Sequence, residues 1–244
     1  MMPPRIVLVG VRNPLNIGAA ARALANFGLD ELVLVRPYSE AWKTARSARA
    51  GQAVLARARV AANLADALAG VSLALGTSSA TGRKPEIELL EWPDSLDRFD
   101  LSRPWALLFG SEKTGLTTED LSYCQAVLRL KTAAASPSMN LGQAVAVCGY
   151  ELRRRLDLMP LAASASPPAL AASTPAPAAD LATRDRLASA FVPLLEQLGV
   201  FRGQHRASQT RRLRRMLARW ELSPGDARLL LGLARELRRT LSHR

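Results

Sequence analysis

Five polar residues, Asn16, Arg22, Glu112, Ser138 and Asn140, fall in three short segments, each following a run of Val and Leu. In residues 13–22, "NPLNIGAAAR", Asn16 and Arg22 are six positions apart, so both fit near the start and second turn of one helix and are able to face the same side. In residues 137–147, "PSMNLGQAVAV", Ser138 and Asn140 precede an apolar-periodic stretch. Taken singly, an Asn or Ser at such a place is also what a helix needs as a cap, and Arg22 reads equally as a surface side chain. In residues 107–117, "LLFGSEKTGLT", Gly110 and Gly115 have the spacing of a phosphate-binding loop and Thr117 stands at its magnesium-binding hydroxyl. Leu116 occupies the lysine position of that loop, which makes nucleoside triphosphate chemistry a weak reading. A dinucleotide fingerprint is absent, because the glycine after Gly10 is Gly18. No metal site is expected: Cys124 and Cys148 are not spaced as ligands and read as buried small apolar residues. His205 stands alone in a basic turn, suited to a structural or RNA-facing role, and His243 lies at the end of the chain.

The elements that must position these groups follow from the apolar pattern. Residues 5–10, 31–36, 71–77, 105–110 and 126–130 are Val- and Leu-rich runs bounded by Gly, Pro or polar residues, the signature of buried strands. Helix formers fill residues 16–28, 39–58, 63–70 and 117–124, and a long helix is expected over 140–158. Alternating strands and helices predict an α/β domain over residues 1–158 with a mostly parallel sheet covered on both faces. In such sheets ligands bind beyond the carboxyl ends of the strands, which is where residues 13–22, 77–84 and 110–115 fall.

Residues 159–180 are rich in Ala, Pro and Ser and read as a linker. Residues 181–244 form three further helical stretches with 14 arginines, no lysine and 5 acids, a net +9 of the chain's +12. A basic excess so concentrated points to a polyanion, and nucleic acid leads. Arg211, Arg212, Arg214, Arg215 and Arg219 spread round one helix as candidate phosphate contacts, while Leu213, Met216, Leu217 and Trp220 supply a packing stripe. No apolar run is long enough to span a bilayer, and the first ten residues do not read as a signal peptide, so a cytoplasmic protein without membrane attachment is expected.

Taken together, N-x-G-x-x-x-R, F-G-x-E-x-x-G-L and S-x-N-L, in that order, resemble the three motifs of the SPOUT superfamily of RNA methyltransferases. Within it the chain is similar to the SpoU-type tRNA ribose 2'-O-methyltransferases, and most of all to the TrmJ family, which methylates nucleotide 32 of the anticodon loop. "GTSSATGR" after the third of the expected strands and the tail "GVFRGQHRASQTRRLRRMLARW" extend the similarity over nearly the whole chain. The resemblance implies a deep C-terminal trefoil knot, an exception to the rule that chains are unknotted. It also implies S-adenosylmethionine as methyl donor, tRNA as substrate, and a homodimer formed through the knot region, where Gly142 would permit close packing against the second chain. Cofactor contacts are implied at Thr77, Ser78, Ser79, Gly110, Leu130, Pro137, Ser138 and Met139. Asn16, Arg22, Glu112, Ser138 and Asn140 are implied around the reacting ribose, with Arg22 as base or activator. A guanidinium stays protonated in proteins, so orienting a phosphate and stabilising a developing alkoxide suit Arg22 better than proton abstraction. Two other readings remain at this point: the same chemistry on ribosomal RNA or another tRNA position, and a non-catalytic RNA-binding protein on the same fold.

Overall fold

The computed structural model describes residues 1–38, 50–79, 87–158, 178–201 and 205–242. Each of the five Val- and Leu-rich runs is a strand: β1 (Arg5–Val9), β2 (Leu32–Val35), β4 (Leu73–Thr77), β6 (Trp105–Phe109) and β7 (Ala126–Arg129). Two short strands complete the sheet, β3 (Arg59–Ala61) and β5 (Leu89–Glu91). The order is β3-β2-β1-β6-β4-β7-β5, and every pairing is parallel. Both short strands lie at the edges; β3 buries only Ala61 and β5 is half-exposed to exposed, so neither shows the apolar run by which a buried strand is recognised.

The pleat divides the core between two faces. Ile6, Leu8, Leu34, Leu75, Leu107 and Phe109 pack on one side beneath α1 (Pro14–Asn26) and α5 (Leu141–Leu158). Val7, Val9, Val33, Ala74 and Leu108 pack on the other with α3 (Leu64–Ala67) and α4 (Thr118–Leu121). Of the helix expected over 39–58, residues 39–49 lie outside the described residues, and α2 (Gln52–Arg57) takes up part of the remainder.

Gly142, expected to serve a contact between chains, is spent within its own chain. A β-carbon there would lie 2.7 Å from the Ala19 methyl, and one at Gly149 would lie 2.8 Å from the Phe27 ring. The two glycines let α5 settle against α1, which sets the distance between the first and third motifs.

Residues 159–177 of the expected linker lie outside the described residues, but its last residues are packed. The Ala179 N–H donates to the Leu222 carbonyl at 2.7 Å, and Asp180 caps α6 (Leu181–Gln197). Two further helices follow, α7 (Arg206–Ala218) and α8 (Pro224–Ser242). This helical unit meets the sheet domain at the amino ends of β4 and β7: Gly70 N–H donates to Asp180 at 2.7 Å, Leu181 N–H to the Val71 carbonyl at 2.8 Å, and the Gln125 side chain to the Ala218 carbonyl at 3.3 Å. No helix among the described residues is long and apolar enough to cross a membrane.

Candidate active site

The segment between β6 and α4 folds as a closed loop. Ser111 and Gly115 bridge across it, with the Gly115 N–H donating to the Ser111 carbonyl at 2.8 Å. Gly115 sits at φ 65°, and a β-carbon on Gly110 would lie 2.0 Å from the Gly115 carbonyl carbon. Only glycine fits at 110, and the positive φ at 115 favours it there. The two glycines shape a loop rather than cradle phosphates. Leu116, in place of a lysine, is buried, and Thr117 is the N-cap of α4, exchanging hydrogen bonds with Asp120 in a capping box.

This loop forms one wall of a cleft of about 280 Å³ at the carboxyl ends of β4, β6 and β7. Every residue expected at the cofactor lines it: Thr77, Ser78, Ser79, Gly110, Leu130, Pro137, Ser138 and Met139. Lys113 and Thr132, which motif spacing does not single out, line it too. The Thr77 hydroxyl donates to the Leu108 carbonyl at 2.9 Å and Ser78 N–H to the Leu128 carbonyl at 3.1 Å, so this wall is held by backbone. A cleft lined by glycine, hydroxyls and main chain, with apolar contributions from Leu130, Met139 and Leu141, suits an adenosyl group bearing a polar tail.

At the lip the three motifs meet in one hydrogen-bonded chain. The Asn16 side-chain amide donates to Glu112 at 2.7 Å, and the Asn140 side-chain amide donates to Asn16 Oδ1 at 3.2 Å. The Asn140 oxygen in turn accepts from Gly142 N–H at 2.9 Å, so Asn140 both caps α5 and reaches across to α1. Glu112 also accepts from the backbone N–H groups of Arg12 and Asn13, each at 3.3 Å. Partial burial pushes the Glu112 carboxyl up, but the Asn16 amide and these backbone donors outweigh it and hold the group below the usual carboxylate range.

Two readings of α1 are corrected here, its cap and the face that Asn16 and Arg22 were expected to share. Asn16 does not cap α1; Asn13 does, its side chain accepting from Leu15 N–H at 2.9 Å with Pro14 in the first turn, which frees Asn16 for Glu112. Ser138 lines the cleft with an exposed side chain. Arg22 is exposed and is not among the cleft residues. Six residues along a helix place it about 9 Å farther up the axis than Asn16 and roughly 240° round, so the two do not share a face.

In the tail, Arg214 is no surface phosphate contact. It is 5% exposed, bonded to Asp185 at 2.7 Å, Glu119 at 2.7 Å and Ser122 at 2.6 Å, and stacked over Tyr123 at 3.9 Å. Burial lowers its pKa, and the Tyr123 and acidic partners more than restore it. Arg211 is half-buried and pairs with Glu119 at 3.6 Å, while Arg212 and Arg219 are exposed and Arg215 is half-buried. Leu213 and Leu217 pack in the helical core as expected, but Trp220 is 48% exposed. Cys124 and Cys148 are buried free thiols whose pKa burial pushes up.

Comparison with known proteins then decides the family. The model of the SpoU rRNA Methylase family matches residues 3–150, which span all three motifs. The chain belongs to the SpoU methylase family. Among SpoU relatives, the TrmJ of Pseudomonas aeruginosa (strain UCBPP-PA14), named a tRNA (cytidine/uridine/adenosine-2'-O-)-methyltransferase, is 34% identical over 95% of this chain and 92% of its own. The TrmJ of Yersinia enterocolitica, named a tRNA (cytidine/uridine-2'-O-)-methyltransferase, is 31% identical over 94% and 89%. The crystal structure of TrmJ from Z. mobilis ZM4 superposes with a TM-score of 0.77 at 26% identity, covering 96% of this chain and 99% of that one. Both sequence relatives and this structural neighbour include the helical tail, so the likeness is not confined to the sheet domain.

Proposed function

We propose that this SpoU methylase transfers the methyl group of S-adenosylmethionine to the ribose 2'-hydroxyl of tRNA nucleotide 32, accepting cytidine, uridine or both. The Glu112–Asn16–Asn140 chain carries the reading: it ties side chains of all three motifs together beside a cleft that Glu112 lines. The names of the full-length relatives support tRNA over other RNAs.

Thr77, Ser78, Gly110, Leu130, Pro137 and Met139 would hold S-adenosylmethionine in the cleft, where it would supply an electrophilic methyl on its sulfonium. The chain's own residues align the 2'-oxygen in line with it, and holding both reactants supplies much of the catalysis. Ser138 and Asn140 position the ribose, and Glu112, fixed by Asn16 and two backbone donors, orders the loop beside it. In the transfer the 2'-oxygen would take the methyl as the carbon–sulfur bond breaks, with the hydroxyl proton lost to solvent or an RNA phosphate. Arg22 orients that phosphate and stabilises the developing alkoxide.

Arg22 lies outside the cleft of its own chain, so we place it at the cleft of a second copy, in a homodimer formed through the knotted region implied by the family. Arg211, Arg212, Arg215 and Arg219 extend the RNA contact onto the tail. The protein works in the cytoplasm, where its substrate is.

The test is transfer of labelled methyl from S-adenosylmethionine to unmodified bulk tRNA, with the product mapped by mass spectrometry. Ribose methylation at nucleotide 32, abolished in Arg22→Ala, is the expected result. Cofactor binding without transfer to tRNA would move the substrate to ribosomal RNA. Absence of cofactor binding would leave a non-catalytic RNA-binding protein.

A further inference from the structure

Beyond β2 the chain makes a strained turn. Arg36 takes a left-handed backbone conformation, φ 48°, uncommon for a residue with a β-carbon, and its guanidinium is tied to Asp120 at 3.3 Å. Two residues on, the Tyr38 N–H donates to the Val11 carbonyl at 3.1 Å. Tyr38 is thereby fixed beside the first motif, and yet it is 78% exposed, the most exposed large apolar side chain among the described residues. A phenol anchored by its backbone and left in water contributes little to packing.

The Arg12 guanidinium lies over the ring at 5.9 Å from its centre, within cation–π range. The backbone N–H of Arg12 also reaches Glu112, which lines the cleft. A single residue, Arg12, therefore separates the exposed ring from the carboxylate beside the reacting centre.

We propose that Tyr38, steadied by Arg12, is the platform on which the base of the methylated nucleotide stacks. This rests on reading the cleft as a site of ribose methylation. A loop nucleotide whose 2'-hydroxyl enters the cleft has to leave its neighbours' stack, and an aromatic ring replaces that lost stacking. Such stacking tolerates sequence, because every base has a π-face, and so suits a site that takes more than one pyrimidine. Arg12 covers part of the ring and restricts it before RNA arrives, which lowers the ordering cost of binding.

The experiment compares the full chain with Tyr38→Ala and Tyr38→Phe in two ways. First, an unmodified anticodon stem-loop RNA carrying 2-aminopurine at the target position is titrated with protein and its fluorescence followed. Wild type and Tyr38→Phe quench it, and Tyr38→Ala does not. Second, Tyr38→Ala lowers kcat/KM for tRNA by about tenfold or more, chiefly through KM. Its S-adenosylmethionine affinity stays unchanged, and Tyr38→Phe restores the rate. Wild-type quenching and KM in Tyr38→Ala would overturn the assignment, as would absence of quenching by the wild type. Tyr38-dependent quenching in a chain that methylates no tRNA would sink the reading of the reaction and leave the stacking role standing.

Discussion

Glu112 is the residue on which the site's electrostatics turn. Its carboxylate accepts from Asn16, Arg12 and Asn13 at once, and no neutral side chain reproduces that. Glu112→Gln presents an N–H₂ where a second acceptor is needed, and the loss of a charged hydrogen-bond partner is expected to lower kcat by roughly 10- to 100-fold. The folded-state pKa of Glu112 is depressed. Its contribution to stability is therefore present above the unfolded pKa and lost as pH falls through the folded value. Thermal unfolding of wild type and Glu112→Gln should differ near neutral pH and converge in acid, below the ordinary Glu range. A gap that persists unchanged into acid would mean that shape, and not charge, is what Glu112 supplies. The gathering of Asn16, Glu112, Ser138 and Asn140 about one cleft was legible, because motif spacing puts them at strand ends where a parallel sheet collects ligands. What spacing did not reveal was which Asn caps α1: Pro14 in the first turn moves the cap to Asn13, and only then is Asn16 free to bridge.

At the scale of elements, the site depends on how closely α5 approaches α1. Gly142→Ala would press a methyl to 2.7 Å from Ala19, and neither is the end of a flexible chain that could turn aside. Overpacking of this kind costs about 1–3 kcal/mol, only partly offset by the better helix propensity of Ala, roughly 1 kcal/mol. The same shift lengthens the Asn16–Asn140 bond, so methyl transfer should fall along with the melting temperature. Adding Ala19→Gly to Gly142→Ala removes the collision and should recover activity; a double variant no better than the single one would dissociate the close approach from the defect. The strands were legible from sequence where an element is buried on both faces, as β1 and β6 are, because burial imposes a continuous apolar run. Edge strands β3 and β5 bury too little to leave that mark. The expectation for Arg214 failed for a related reason. Charge and helical position describe α7 alone, whereas the partners that bury Arg214 come from Glu119 and Asp185, far away in the chain.

For the whole molecule, the decisive geometry is that the tail and the cleft lie at opposite ends of the strands. The tail meets Val71 and Gln125 at the amino ends, and the cleft opens beyond Thr77 at the carboxyl ends, a separation of about 20 Å along β4. On the proposed function, a tRNA held by the tail would have to span the sheet to reach the cleft of the same chain. Arginine replacements should sort by this arrangement. Arg212→Gln with Arg219→Gln should weaken tRNA binding and flatten its dependence on log salt by roughly 0.7–0.9 for each phosphate no longer neutralised, with cofactor affinity unchanged. Arg214→Met strips Asp185 of its Arg214 partner and leaves Glu119 only the longer contact to Arg211, and should instead loosen the tail, read as faster proteolysis of residues 178–242 with the sheet domain still folded. An unaltered salt slope in the double variant would remove the tail from the RNA interface.

The placement of Arg22 is the larger consequence of whole-molecule geometry. Exposed on α1 and not among the residues that line its own cleft, it would act, on the proposed reading, at a cleft that another chain brings to it. A two-fold dimer makes that test quantitative. Arg22→Ala and Asn140→Ala are each expected to be inactive alone, but in a mixed dimer the Arg22→Ala chain keeps an intact cleft and receives Arg22 from the other. Random reassortment makes half the dimers mixed, each with one working site, so about a quarter of wild-type activity should return on co-refolding. If Arg22 serves its own chain, every site in the mixture lacks one of the two groups, and mixing restores nothing.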